Sequence, residues 1–117
     1  MTDITLYHNP RCSKSREALA LLEERGIQAT VVKYLDTPLN AQQISVLLSK
    51  LGLSARDIMR SGESVYKEMN LDNPELNESQ LIDAMAQAPI LIQRPILVVG
   101  EKAAIGRPMD NLTELLA

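Results

Sequence analysis

The residues able to do chemistry in this chain gather in one stretch, Tyr7-His8-Asn9-Pro10-Arg11-Cys12-Ser13-Lys14-Ser15-Arg16, which holds its only cysteine. Upstream, Ile4-Thr5-Leu6-Tyr7 alternates as a short strand does; downstream, Ala18, Leu19, Leu21 and Leu22 form one apolar helix face. Asn9-Pro10 supplies the turn between them. Cys12 is therefore expected in the first turn of a helix, where unpaired N–H groups and the positive dipole end favour an anion, either a thiolate or a bound oxyanion. Arg11, Lys14 and Arg16 surround it, and no acidic residue stands between Asp3 and Glu17. A free thiol near pKa ~8.5 is mostly protonated at neutral pH, and such a setting lowers it by about one to several units; the thiolate is the nucleophile. A lone cysteine is often just a small buried hydrophobe. The polar, basic neighbours of Cys12 argue for reactivity instead.

A dithiol pair or a zinc knuckle needs a second cysteine, which is absent, so no metal site is expected. Ser15 stands where a C-x-x-C motif would place its partner. Any adduct or oxidation product on Cys12 must be resolved by a thiol from another molecule.

The elements that must position this stretch follow from composition and periodicity. A chain of 117 residues is long enough for one domain that buries roughly two-thirds of its unfolded surface. It has no Trp or Phe, so Leu, Ile, Val, Ala and Met must fill the core. Twelve basic against fifteen acidic residues give a net charge of −3, which argues against nucleic-acid or membrane-surface binding by bulk charge. There is no apolar leader and no apolar run of about eighteen residues, and one cysteine suits a reducing cytoplasm.

Gly26 should cap the first helix, and residues 28–34 read as a second strand, giving a right-handed β-α-β crossover and a parallel pair. Asn40 precedes an amphipathic helix with Ile44, Leu47, Leu48 and Leu51 on one face, closed by Gly52. Short helices follow Ser54 and Ser64, and a longer one with Leu81, Ile82 and Met85 inward starts at Asn77 or Ser79. Pro89 stops it. Ile96-Leu97-Val98-Val99 reads as a buried strand, Gly100-Glu101-Lys102 as a turn, and Ala103-Ala104-Ile105 as an antiparallel return. A short helix with Leu112, Leu115 and Leu116 ends the chain. The expected fold is α/β: a four-stranded mixed sheet flanked by helices, in a single domain over 1–117, with a helical insertion after the second strand at roughly 40–88.

This order, with a cysteine at the first strand-helix junction and a proline opening the third strand, resembles the thioredoxin fold. More closely, the chain resembles the glutaredoxin-coupled arsenate reductases. The matching motifs are His8-Asn9-Pro10-x-Cys12-x-x-Ser15-Arg16, Leu81-Ile82-Asp83 with Pro89-Ile90-Leu91-Ile92, and Arg94-Pro95-Ile96, and the likeness covers essentially the whole chain. It implies that Cys12 is the nucleophile toward arsenate and that Arg60, Arg94 and Arg107 bind the oxyanion and its transition state. Guanidinium forks match a doubly ionised tetrahedral anion. His8 has two readings, an imidazole that helps hold the thiolate or a hydrogen-bonded turn residue. Ser15 is a candidate donor to the sulfur, Arg16 belongs to the motif, and a cis Arg94-Pro95 bond is expected from the resembled fold.

The resemblance further implies glutathione as co-substrate, glutaredoxin as partner, no tightly bound cofactor and a monomer. The better-known members carry Gly and Thr between the equivalents of Cys12 and Ser15, where Ser13 and Lys14 stand here. Two other readings are a glutathione-dependent thiol reductase of another substrate and a redox regulator of this fold that binds RNA polymerase. Such regulators commonly switch through a C-x-x-C pair, which Ser15 breaks.

Overall fold

Helix α1, Ser13–Glu24, follows strand β1, Ile4–Tyr7, and buries Ala18 and Leu22 at helical spacing. It stops because Gly26 adopts φ 65°, with its N–H on the Glu23 carbonyl at 3.1 Å and the Ile27 N–H on Leu22 at 2.9 Å. This paired closure satisfies two terminal carbonyls and requires a residue that tolerates the left-handed region. A computed structural model describes residues 3–117. They form two compact units, one reaching Thr37 and resuming over Arg94–Ala117, the other Pro38–Gln93.

The first unit holds the sheet. Strand β2, Thr30–Val32, lies parallel to β1, whereas β3, Ile96–Val99, is antiparallel to β1 and to β4, Lys102–Ile105, giving the order β2-β1-β3-β4. The second strand is shorter than the seven residues its composition predicts. The Lys33 carbonyl accepts the N–H groups of Asp36 and Thr37 at 3.0 and 2.9 Å, so the chain turns away immediately after Val32.

Leu6 and Leu97 face Ala18 and Leu22 of α1 and Leu112 of α6, Asp110–Leu116, in one core. Burying a leucine of this kind contributes about 1.5–3 kcal/mol. Ile96 and Val98, on the alternate face, are also buried, as the continuous apolar run of β3 requires. The sheet is mixed and flanked by helices, which is the thioredoxin-like arrangement.

Close packing leaves no room for a side chain at Gly106. A methyl group there would lie 2.9 Å from the Pro95 ring and 3.0 Å from Leu112. Gly106→Ala should therefore lower stability by about 1–3 kcal/mol through overpacking. Urea unfolding checks this: the midpoint falls while the slope is unchanged.

The second unit is helical. Helix α2, Ala41–Leu51, and α5, Glu78–Gln87, each begin with a reciprocal cap, Asn40 with Gln43 and Asn77 with Gln80, all four bonds at 2.8–2.9 Å. Between them lie α3, Ala55–Ile58, and α4, Ser64–Glu68, and a 3-10 turn at Pro89–Leu91 follows α5. Ile44, Leu47, Leu48, Ile58, Leu81 and Met85 are buried. Among the described residues, no helix is long and apolar enough to cross a membrane.

Candidate active site

Sheet register brings the chemical residues to one edge. Tyr7 at the end of β1 pairs with Ile96 at the start of β3, which pairs with Ile105 at the end of β4. The segments just beyond these three positions carry Cys12, Arg94 and Arg107. The Gly106 N–H donates to the Pro95 carbonyl at 2.9 Å and ties the last two segments together. The Arg94-Pro95 and Arg107-Pro108 peptides are both cis.

Cys12 is the cap residue of α1, with φ −93° and ψ 124°, and it is 8% exposed. Its N–H donates to the Asn9 carbonyl at 3.0 Å and its carbonyl accepts the Arg16 N–H at 3.0 Å. Arg107 donates Nε–H to the Arg94 carbonyl at 2.7 Å, and its Nη2 lies 3.5 Å from the Cys12 sulfur. Burial pushes the thiol up. The backbone N–H of Ser15, the Arg94 guanidinium and the backbone N–H of Lys14 outweigh that effect, and the thiol lies below its ordinary value. Burial acts to lower Arg94, but its bond to the sulfur and the nearby Tyr34 phenol dominate and raise it, so the guanidinium stays charged.

The source of this activation differs from the expectation in one part, the neighbouring basic side chains. Two of the three basic side chains near Cys12 in sequence are engaged elsewhere: Lys14 pairs with Glu17 at 3.4 Å, and Arg16 donates to the Pro10 carbonyl at 2.9 Å. The helix-start N–H groups expected from the sequence act on the sulfur, joined by Arg94 from a distant segment. Ser15 is fully buried and its hydroxyl engages the loop, 2.7 Å from His8 Nδ1 and accepting the Asn9 N–H at 2.9 Å. Its backbone N–H, rather than the hydroxyl, favours the thiolate. His8 is held below its usual pKa by burial, then by the Lys33 charge, so at neutral pH it is an uncharged partner of Ser15.

Arg60 belongs to the helical unit. The short pairing of Met59 with Ile92 fixes its backbone, and its guanidinium donates to Glu63 at 3.2 Å and to Gln93 at 2.9 Å. Gln93 and Tyr34 take part in these arrangements without having been singled out from sequence, and Asn9, read there only as a turn and motif residue, also holds the loop. That role of Asn9 could have been found, since an Asn before Pro commonly folds back on the following backbone; here its Oδ1 accepts the Arg11 N–H at 3.0 Å. Tyr34 carries a weaker sign, a tyrosine just past a strand parallel to β1 and hence at the same sheet edge. Among the described residues, no cluster of His, Cys, Asp and Glu could hold a metal ion.

A β-α-β unit followed by an antiparallel hairpin, with the cysteine at the first strand-helix junction, defines a thioredoxin-like fold. The chain belongs to the ArsC family, whose sequence model matches residues 7–115. It is 53% identical over 117 residues to an arsenate reductase of Neisseria meningitidis, covering 99% of this chain and 100% of that protein. It is 38% identical over 116 residues to an arsenate reductase of Escherichia coli, covering 99% of this chain and 82% of that one. The solved structure of an arsenate reductase from Vibrio cholerae superposes with a TM-score of 0.93 at 46% identity, over 97% of each chain.

Proposed function

We propose that this protein is an arsenate reductase that uses glutathione as its reductant and glutaredoxin to regenerate its thiol, as a monomer in the cytoplasm. The observation that carries the reading is the Cys12 sulfur, lowered in pKa and contacted by the guanidinium groups of Arg94 and Arg107. Arg60 is assigned as a third oxyanion ligand by its position in the resembled family. In this reading, the Cys12 thiolate attacks arsenic(V) and a hydroxyl group leaves as water, forming a thiol ester. Glutathione then supplies the second thiol. One sulfur–sulfur bond forms between Cys12 and glutathione, two electrons pass to arsenic, and arsenite leaves. Glutaredoxin exchanges the mixed disulfide and restores Cys12. The arginines neutralise the oxyanion and the charge developing on its oxygens.

The test is a single-turnover experiment. Protein, arsenate and glutathione without glutaredoxin should give one arsenite per protein and a mass increase of one glutathionyl group on Cys12; glutaredoxin should convert this to multiple turnovers. No arsenite release, or release with no adduct on Cys12, would refute the proposal.

A further inference from the structure

A cleft of about 360 Å³ lies against the loop that delivers Cys12, and the mechanism above leaves most of its walls unused. His8, Asn9 and Arg11 line it from that loop, and Lys33, Leu35 and Asp36 from the turn after β2. Its volume is at the small end of the range for ligand pockets, about 300–1,000 Å³. Two of its walls are cationic and one is anionic. Arg11, Lys33 and Asp36 are exposed and open to a ligand, while His8 and Asn9 are buried and form a fixed floor.

The walls are preformed by backbone bonds. The His8 N–H donates to the Val32 carbonyl at 2.8 Å, and the Asp36 N–H donates to Lys33 at 3.0 Å, closing the turn that carries both charged side chains. Glutathione has two carboxylates, one ammonium group and a central thiol. We propose that the cleft docks glutathione, with its carboxylates on Arg11 and Lys33 and its ammonium on Asp36. This rests on the glutathione-dependent reading above. Arg11 is the residue before Cys12, ~3.8 Å away between Cα atoms, and a three-residue peptide spans about 10 Å. A tripeptide is thus long enough to reach from Arg11 to the neighbouring residue, and in the proposed docking its thiol is directed toward Cys12.

The experiment measures the reaction of Cys12 with oxidised glutathione. The thiolate attacks one disulfide sulfur, the glutathione S–S bond breaks, a Cys12–glutathione disulfide forms and glutathione thiolate leaves. Dithiobis(nitrobenzoate), an anionic disulfide without an ammonium group, serves as the charge control. Lys33→Gln should slow oxidised glutathione about fivefold relative to the control, as expected for an exposed ionic contact. Asp36→Asn is the sharper variant. It should slow oxidised glutathione about fivefold while leaving the control as fast or faster, because removing a carboxylate favours an anionic reagent by bulk charge alone.

Acceleration of both reagents by Asp36→Asn, or equal slowing of both by Lys33→Gln, would overturn the docking. Failure of arsenite release with the Asp36→Asn selectivity intact would defeat the arsenate reading and leave the docking standing. Arsenite release without that selectivity would do the reverse. Thermal melts confirm that these surface variants are folded.

Discussion

Cys12→Ser should abolish arsenite release, lowering the rate by at least about 10⁴-fold, the scale seen when an enzyme's nucleophile is removed. A serine hydroxyl in the same place receives the same donors, the N–H groups of Ser15 and Lys14 and the Arg94 guanidinium. Those donors lower the proton affinity of a thiol. A hydroxyl starts far higher and stays protonated. Even a populated alkoxide could not form the sulfur–sulfur bond through which arsenic is reduced, so both proposed steps fail together. Serine is slightly smaller and fits the space, and folding should be close to wild type. The measurement is arsenite production alongside a thermal melt. Appreciable turnover by folded Cys12→Ser would show that another group does the chemistry.

The second large effect is expected at Arg94. Arg94→Ala should raise the Cys12 pKa, because losing a cation hydrogen-bonded to the sulfur destabilises the thiolate and leaves the thiol unaffected. The thiolate fraction at neutral pH then falls, and the pH at which iodoacetamide alkylation reaches half its maximum rate moves upward. Arsenate reduction should fall by about 10²–10³-fold, the usual consequence of removing one preorganised donor to a developing charge. Arg94→Lys should recover part of the thiol pKa, since it restores a positive charge, but less of the turnover, since an ammonium lacks the planar fork that grips two oxygens of an oxyanion. An alkylation profile of Arg94→Ala that coincides with wild type would show that the helix end alone ionises Cys12.

These two residues also mark the division between what can be read along the chain and what cannot. The strand before Cys12, the helix after it, the Gly26 stop and the Asn40 and Asn77 caps are local. Each is decided by residues within about one turn, and so each was legible. The resemblance also named Cys12 and Arg94, which sit in recognisable short motifs, and Arg60 and Arg107, which fall where the resembled family places its other arginines.

What the local pattern overstated was the part of the neighbouring cations, while the helix-start N–H groups it named do act on the sulfur. Lys14 and Arg16 are close in sequence, but a helical residue points its side chain by rotamer and by the nearest available partner, here Glu17 and the Pro10 carbonyl. The same is true of Ser15. Its spacing from Cys12 made it a candidate donor to the sulfur, yet the return of the loop over the helix brings His8 and Asn9 to its hydroxyl.

By itself the sequence determined that a single thiol would stand at a helix start among polar neighbours, because capping, turn chemistry and apolar periodicity act over a few residues. Only the tertiary structure decided that Arg94 and Arg107, more than eighty positions away, meet that thiol. The register of β1 on β3 and β3 on β4 places their ends at one edge, and register is a property of paired strands that no single segment contains.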